Sequence, residues 1–171
     1  MKVLVAYFSQ TGNTEKVAKA IHEESSHTHT ADLKRLEDVG PGDLESCDLV
    51  FVGSPLHAGN IAGPVKEFLS KVKAGSVKAL AGFITHAAPA YPDQDMARYA
   101  EPLQAACQEN GIQYKGCFGC QGFLTEALHE MIQKSRKMTD EQWAETVQQM
   151  TGHPDAHDLE KARAFARSVL P

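Results

Sequence analysis

Val3-Leu4-Val5-Ala6-Tyr7-Phe8 runs straight into Ser9-Gln10-Thr11-Gly12-Asn13-Thr14, and an amphipathic stretch over residues 15–24 follows at once. The apolar run predicts a buried strand, and Val17, Ala18 and Ile21, at helical spacing, predict a helix. The hexapeptide between them is then a strand-to-helix turn. Such a turn aims backbone N–H groups and the positive end of a helix dipole at one spot, which is what a phosphate requires. Ser9, Thr11 and Thr14 add hydroxyls around that spot. A plain helix cap needs only one such side chain, so the turn reads as a binding element rather than a cap.

What the turn lacks narrows its ligand. A P-loop ends in Gly-Lys-Ser/Thr so that the lysine reaches terminal phosphates, and a dinucleotide fingerprint needs three spaced glycines. Here Gly12 is the one glycine and no residue is basic. The turn suits a single terminal phosphate held by neutral donors.

Further along, residues 30–37 predict a second strand with Ala31, Leu33 and Leu36 as its apolar positions, followed by a turn-rich stretch over 38–43. Leu49-Val50-Phe51-Val52-Gly53 is apolar at consecutive positions, as expected of a strand covered on both faces. Residues 64–73 predict a helix with Pro64 in its first turn and Val65, Phe68, Leu69 and Val72 in its stripe. A short strand over 79–85, a helix over 95–109 stopped by Asn110-Gly111, and a fifth strand over 114–123 complete the pattern. Alternation of this kind predicts an α/β fold: a doubly wound, five-stranded parallel sheet with helices on both faces. Its ligand site belongs outside the carboxyl ends of the strands, at the topological switch point.

The last third breaks the rhythm. Residues 125–137 predict a helix with Leu128, Met131 and Ile132 turned inward. Thr139-Asp140-Glu141-Gln142 is a capping box opening a second helix, with Trp143, Val147 and Met150 in its stripe and Gly152 at its end. A closing helix follows over about 158–170. Residues 125–151 are thus a helical insertion after the fifth strand.

The 171 residues suit one domain spanning 1–171 with an ample core. A net charge of −5 argues against a general nucleic-acid binder and suits partners that carry basic patches. No secretory signal and no membrane span is expected, so a cytoplasmic protein is expected. Four cysteines are too few for a disulfide framework in a chain of this length. Cys117 and Cys120 have redox-pair spacing, but residues three apart on a strand face opposite ways, which favours two separate packed thiols. The run His153-Pro154-Asp155-Ala156-His157-Asp158 has metal-ligand residue types, yet Pro and Asp before an apolar-periodic helix read first as a helix start.

Four predicted strand ends converge. The first holds the phosphate turn. The second, Gly53-Ser54-Pro55-Leu56-His57-Ala58-Gly59-Asn60, offers hydroxyl, glycine and imidazole. The third, Thr85-His86-Ala87-Ala88-Pro89-Ala90-Tyr91, ends in an aromatic, and the fourth holds Cys120, Gln121 and Gly122. One phosphate loop, with rings on two others, describes a slot for a flat ring on a phosphorylated tail.

At this point the chain resembles the flavodoxin family. Ser9-Gln10-Thr11-Gly12-Asn13-Thr14 matches that family's FMN-phosphate motif, and Gly53 to Gly59 is similar to its second flavin loop. The resemblance implies FMN as cofactor, strand order 2-1-3-4-5 and electron transfer as activity. It assigns Ser9, Gln10, Thr11, Gly12, Asn13 and Thr14 to the phosphate. Ser54, Pro55, Leu56, His57, Ala58 and Gly59 on one loop, and Thr85, His86, Ala87 and Tyr91 on another, would flank the isoalloxazine. The family often presents an aromatic on the second loop where this chain has His57, and its longer members carry their extra segment inside the fifth strand rather than after it.

No general base or nucleophile stands out, so no catalytic residue is assigned. The leading expectation is an electron carrier working between redox partner proteins that dock through basic patches. A second is an FMN-dependent NAD(P)H oxidoreductase acting on quinones or nitro compounds, with 125–151 as a lid or as a homodimer contact. A third is a flavin-binding domain with a regulatory or structural role. Neither nucleic acid nor membrane is an expected partner, and no metal site is expected.

Overall fold

The computed structural model describes residues 1–45, 47–73, 75–87 and 93–171, the last of these with its side chains from residue 96 onward. Strands β1 (Lys2–Tyr7), β2 (Thr30–Arg35), β3 (Cys47–His57), β5 (Val77–His86) and β6 (Gln113–Gln121) pair in parallel in the order β2-β1-β3-β5-β6. The two-residue β4 (Asn60–Ile61) folds back antiparallel on β3. This is the predicted doubly wound sheet, its order 2-1-3-4-5 relabelled by the one short added strand.

Alternation along the strands sorts the core into two layers. Leu4, Val50, Val52, Leu80 and Ile84 face one way and pack with Leu44 of α2 (Pro41–Leu44), Val65, Phe68 and Leu69 of α3 (Gly63–Lys71) and Leu103 of α4 (Asp93–Glu109). Val3, Val5, Phe51, Ala81 and Phe83 face the other way, onto Val17 and Ile21 of α1 (Asn13–Ser26) and Ala162 and Ala166 of α7 (Ala156–Val169). Both faces of the sheet are therefore roofed by helices, and the strands can be apolar at successive positions. Gly53 and Phe83 are register partners on β3 and β5, and a Cβ on Gly53 would lie 2.2 Å from the Phe83 ring. That contact admits only glycine.

Cys117 packs in the α4 layer and Cys120 in the α7 layer, so the two thiols diverge as the strand period requires. Both are free, and burial pushes each thiol up to about 12. Neither is a thiolate at neutral pH.

Two expectations are corrected. The second loop is not a loop over its length: β3 continues to His57, and Ala58-Gly59 forms a two-residue hairpin turn into β4, with His57 paired to Asn60. Ala58 and Gly59 both have positive φ, 49° and 79°, as the primed hairpin turn demands. The helix expected over 125–137 is instead a 3-10 turn (Glu126–Leu128) followed by a short α5 (His129–Ser135). Leu128 and Met131 do not turn inward but are 40% and 57% exposed. With both sheet faces already covered, no core surface remains for that stripe to meet.

The rest of the insertion, α6 (Asp140–Met150), follows its expected pattern. Thr139 Oγ1 accepts the Gln142 N–H at 3.3 Å while Gln142 Oε1 accepts the Thr139 N–H at 3.0 Å, and Trp143 and Met150 are buried. Asp155 caps α7 in the same way, its Oδ1 accepting from the N–H groups of His157 and Asp158 at 2.8 and 2.9 Å. Asp158 Oδ2 accepts the Asp155 N–H and also meets His153 Nδ1. The ligand-type atoms of His153, Asp155 and Asp158 lie within 4.8 Å of one another, but the two carboxylates are already engaged as a helix start.

Candidate functional site

A cleft of about 480 Å³ opens at the carboxyl ends of β1, β3, β5 and β6. It sits where the strand order reverses, since β1 is flanked by β2 on one side and β3 on the other. The turn after β1 supplies Ser9, Gln10, Thr11, Asn13 and Thr14 to its wall, the end of β3 and its hairpin supply Pro55, Leu56, His57 and Ala58, and the end of β5 supplies Thr85, His86 and Ala87. The predicted loops thus meet at one place.

Three of the expected residues stand behind the wall rather than in it. Gly12 holds the left-handed φ of 87° that starts α1. Ser54 is buried, its hydroxyl donating to the Pro55 carbonyl at 2.8 Å and accepting the Ala62 N–H at 2.9 Å, which fixes the end of β3 against the start of α3. Gly59 completes the hairpin turn. The expectation for Tyr91 lies outside the described residues.

The α1 N-terminus differs from those of α6 and α7 in having no side-chain cap. Ser9 Oγ accepts the Gly12 N–H at 3.1 Å, but among the described residues no side chain takes up the N–H groups of the first turn of α1, whose residues Asn13 and Thr14 line the cleft beside Thr11. A helix start of this kind is an anion site in waiting. Deeper in, the hydroxyls of Thr14 and Thr85 meet at 2.8 Å and tie the turn to β5. Both are buried, and the bond is worth about 0.5–1.5 kcal/mol.

Among the described residues, no Asp, Glu, Lys or Arg lines the cleft. The hydroxyl-rich end lies at Ser9, Thr11 and Thr14, and the apolar side chains of Leu56, Leu128, Met131 and Ile132 make up other walls. A positive charge does stand just outside: Arg35, at the end of β2, donates from Nη2 to the Ser9 carbonyl at 3.1 Å and lies over the Tyr7 ring. Glu37 at 2.9 Å and Glu15 at 3.8 Å offset it. Hydrogen bonding to Lys19, and then the nearby charges of Lys19 and Arg35, holds the Glu15 carboxyl below its ordinary value.

Sequence reasoning missed Arg35 and the wall after β6. Arg35 is brought in by the parallel register that pairs it with Tyr7, which follows from strand order and not from local pattern. Phe123, Leu124, Thr125, Leu128, Met131 and Ile132 also line the cleft. The signal for them was their position directly after the fifth strand, within the switch-point set.

A family model described as the flavodoxin domain matches residues 4–167. The chain belongs to the flavodoxin-domain family. Relatives of this flavodoxin-domain protein include an uncharacterized protein of Methanocaldococcus jannaschii, 28% identical over 171 residues with 99% of each chain covered. The flavodoxin-like domain-containing protein BilS of Clostridioides difficile is 28% identical over 176 residues, covering 99% of this chain and 97% of the relative. Among solved structures, oxidised flavodoxin 2 from Bacillus cereus superposes with a TM-score of 0.66 at 19% identity, covering 99% of this flavodoxin-domain protein and 97% of that chain. That likeness shows the fold. The family generally binds FMN. Among the described residues, no helix is long and apolar enough to cross a membrane.

Proposed function

We propose that the protein binds FMN in this cleft and works as an electron carrier between redox partner proteins. The observation that carries the reading is the make-up of the cleft: an uncapped helix N-terminus with the Ser9, Thr11 and Thr14 hydroxyls at one end, apolar walls elsewhere, and, among the described residues, no charged side chain lining it. A ligand with one phosphate and a flat apolar ring suits that division. Ser9, Thr11, Thr14 and the first-turn N–H groups would hold the phosphate. Leu56, His57, Ala58, His86 and Ala87 would wall the ring. Bound FMN supplies one- and two-electron redox chemistry, and the protein's part is to hold it, orient it and limit water around it. His57 and Ala58 are exposed at the mouth, which suits electron exchange with a docked protein, and the net charge of −5 suits a partner with a basic face.

A second reading has one observation in its favour. Leu128 and Met131 are large apolar side chains left exposed on a cleft wall, as a small-molecule substrate site would require. On that reading the protein is an FMN-dependent NAD(P)H oxidoreductase for quinones or nitro compounds. Titration with FMN, followed by visible absorption and by rapid mixing with NADH and NADPH, tests both. A yellow complex that keeps its colour on mixing is the expected result, and fast bleaching moves the assignment to the oxidoreductase. A protein that remains colourless after incubation with FMN overturns both readings.

A further inference from the structure

We propose that Asn13 couples phosphate occupancy of the Ser9–Thr14 turn to the helical insertion, so that a phosphate there tightens α5 and α6 beside the cleft. The inference rests on the phosphate-binding part of the reading above. Asn13 is the first residue of α1 and one of the uncapped positions at its start. Its side chain is directed elsewhere: Nδ2 donates to the Phe123 carbonyl at 2.7 Å, across the chain, and to Thr11 Oγ1 at 3.3 Å. Gly122 is pressed against the same amide, where a Cβ would lie 2.9 Å from Asn13 Cγ and Nδ2. The turn and the segment after β6 are therefore interlocked through one side chain.

From Phe123 the contact continues without a gap. The Phe123 ring meets the His129 ring edge-on at 5.7 Å, and His129 meets Trp143 edge-on at 5.3 Å. His129 Nε2 donates to the Leu124 carbonyl at 2.9 Å, which anchors the imidazole to the same segment. A chain of packed groups thus runs from the start of α1 through α5 to the buried Trp143 of α6. Thr11, Asn13, Phe123 and Thr125 line the cleft on one side and, on the other, an adjoining hollow of about 530 Å³ that Lys16 and His153 also line. The Asn13–Phe123 hydrogen bond stands in the wall between the two.

The coupling has a plain electrostatic source. N–H dipoles converging on one point repel one another until an anion compensates them. An anion held by the first turn of α1 fixes the Asn13 backbone, and with it the direction of the amide that holds Phe123. Fluctuations that open the insertion then become rarer, because the opened state loses a bond that the closed state keeps.

FMN and riboflavin share a ring and differ in the phosphate, so amide hydrogen exchange over residues 129–150 compares the two directly. At saturation of each, exchange is expected to be about five-fold or more slower with FMN than with riboflavin. Gly122→Ala, which pushes the Asn13 amide off Phe123 while leaving Ser9, Thr11 and Thr14 in place, is expected to erase the difference. Asn13→Ser, too short to reach Phe123, is read the same way and serves if Gly122→Ala does not fold. Equal exchange in the two wild-type complexes overturns the coupling alone, as does a difference that survives in the variant. A wild-type protein that binds no FMN overturns the functional reading and the coupling together.

Discussion

Ala58 holds a backbone conformation that its own side chain opposes. Its φ of 49° belongs to the left-handed region, where an L-residue with a Cβ is disfavoured by about 1–2 kcal/mol. The primed turn between His57 and Asn60 demands positive φ at both central positions, and glycine or asparagine is the residue that meets the demand without strain. Ala58→Gly should therefore stabilise the protein by about 1 kcal/mol and raise Tm by roughly 2–4 °C in a thermal melt. Ala58 also lines the cleft, so the same variant should bind FMN no more tightly than wild type; strain retained at a binding wall is a common exchange of stability for a set geometry. A lower Tm for Ala58→Gly would show that the turn is not strained.

At the scale of elements, the helix starts carry different jobs. The Asp155 carboxylate accepts two N–H groups at the start of α7, and Asp155→Ala should cost about 1 kcal/mol, with Asp155→Asn restoring most of it. Because the carboxylates of Asp155 and Asp158 are engaged by the cap, wild-type Tm should not move when a chelator is added. A drop on chelation would reassign His153, Asp155 and Asp158 to a cation. The contrast with α1, whose start has no side-chain cap, could be read in the sequence: Thr139 and Asp155 precede a Gln and an Asp at cap-box spacing, whereas Gly12 has no side chain to offer. The strand, turn and helix over residues 2–26 were legible for the same reason, since each is specified by neighbours within a few positions. The hairpin at Ala58 was not, because nothing local marks an alanine as left-handed. Nor was the setting of α5, because Leu128, Met131 and Ile132 at helical spacing look the same whether they face a core or a cleft. What decides between those is how much of the sheet other helices have already covered, and that is a property of the assembled fold.

For the whole molecule, surface charge sets the response to acid. Glu15, Asp43 and Asp48 are held below the ordinary carboxylate values, first by hydrogen bonds from Lys19, Lys34 and Lys78 respectively. A carboxyl with a lowered value in the folded state adds stability above its unfolded value of about 4, and that stability is lost as pH falls through the folded value. Urea midpoints should therefore be flat from pH 7 to about 5 and fall below about pH 4. Added salt should shrink the fall, because these pairs are partly exposed and so screened. Midpoints that rise on acidification would mean that other groups govern the response. Asp43 and Asp48 lie with Glu37, Asp38 and Glu45 in one acidic stretch of the sequence. Within it Asp43 pairs with Lys34, Asp48 with Lys78 and Glu37 with Arg35.

The contact between Gly53 and the Phe83 ring reaches beyond this one sequence. A side chain at position 53 and a full ring at position 83 compete for a single volume between adjacent strands, so the two sites cannot vary independently. A change to alanine at 53 is ruinous while Phe83 stands, and becomes tolerable only after the ring has shrunk. The order of substitution is then fixed: a drifting lineage must pass first through a smaller residue at 83, accepting a void, before position 53 can gain a side chain. Since β3 ends on the hairpin and β5 on Thr85 and His86, that epistatic pair guards the spacing of two cleft walls, and descendants that break it in the wrong order should be absent from any functional library.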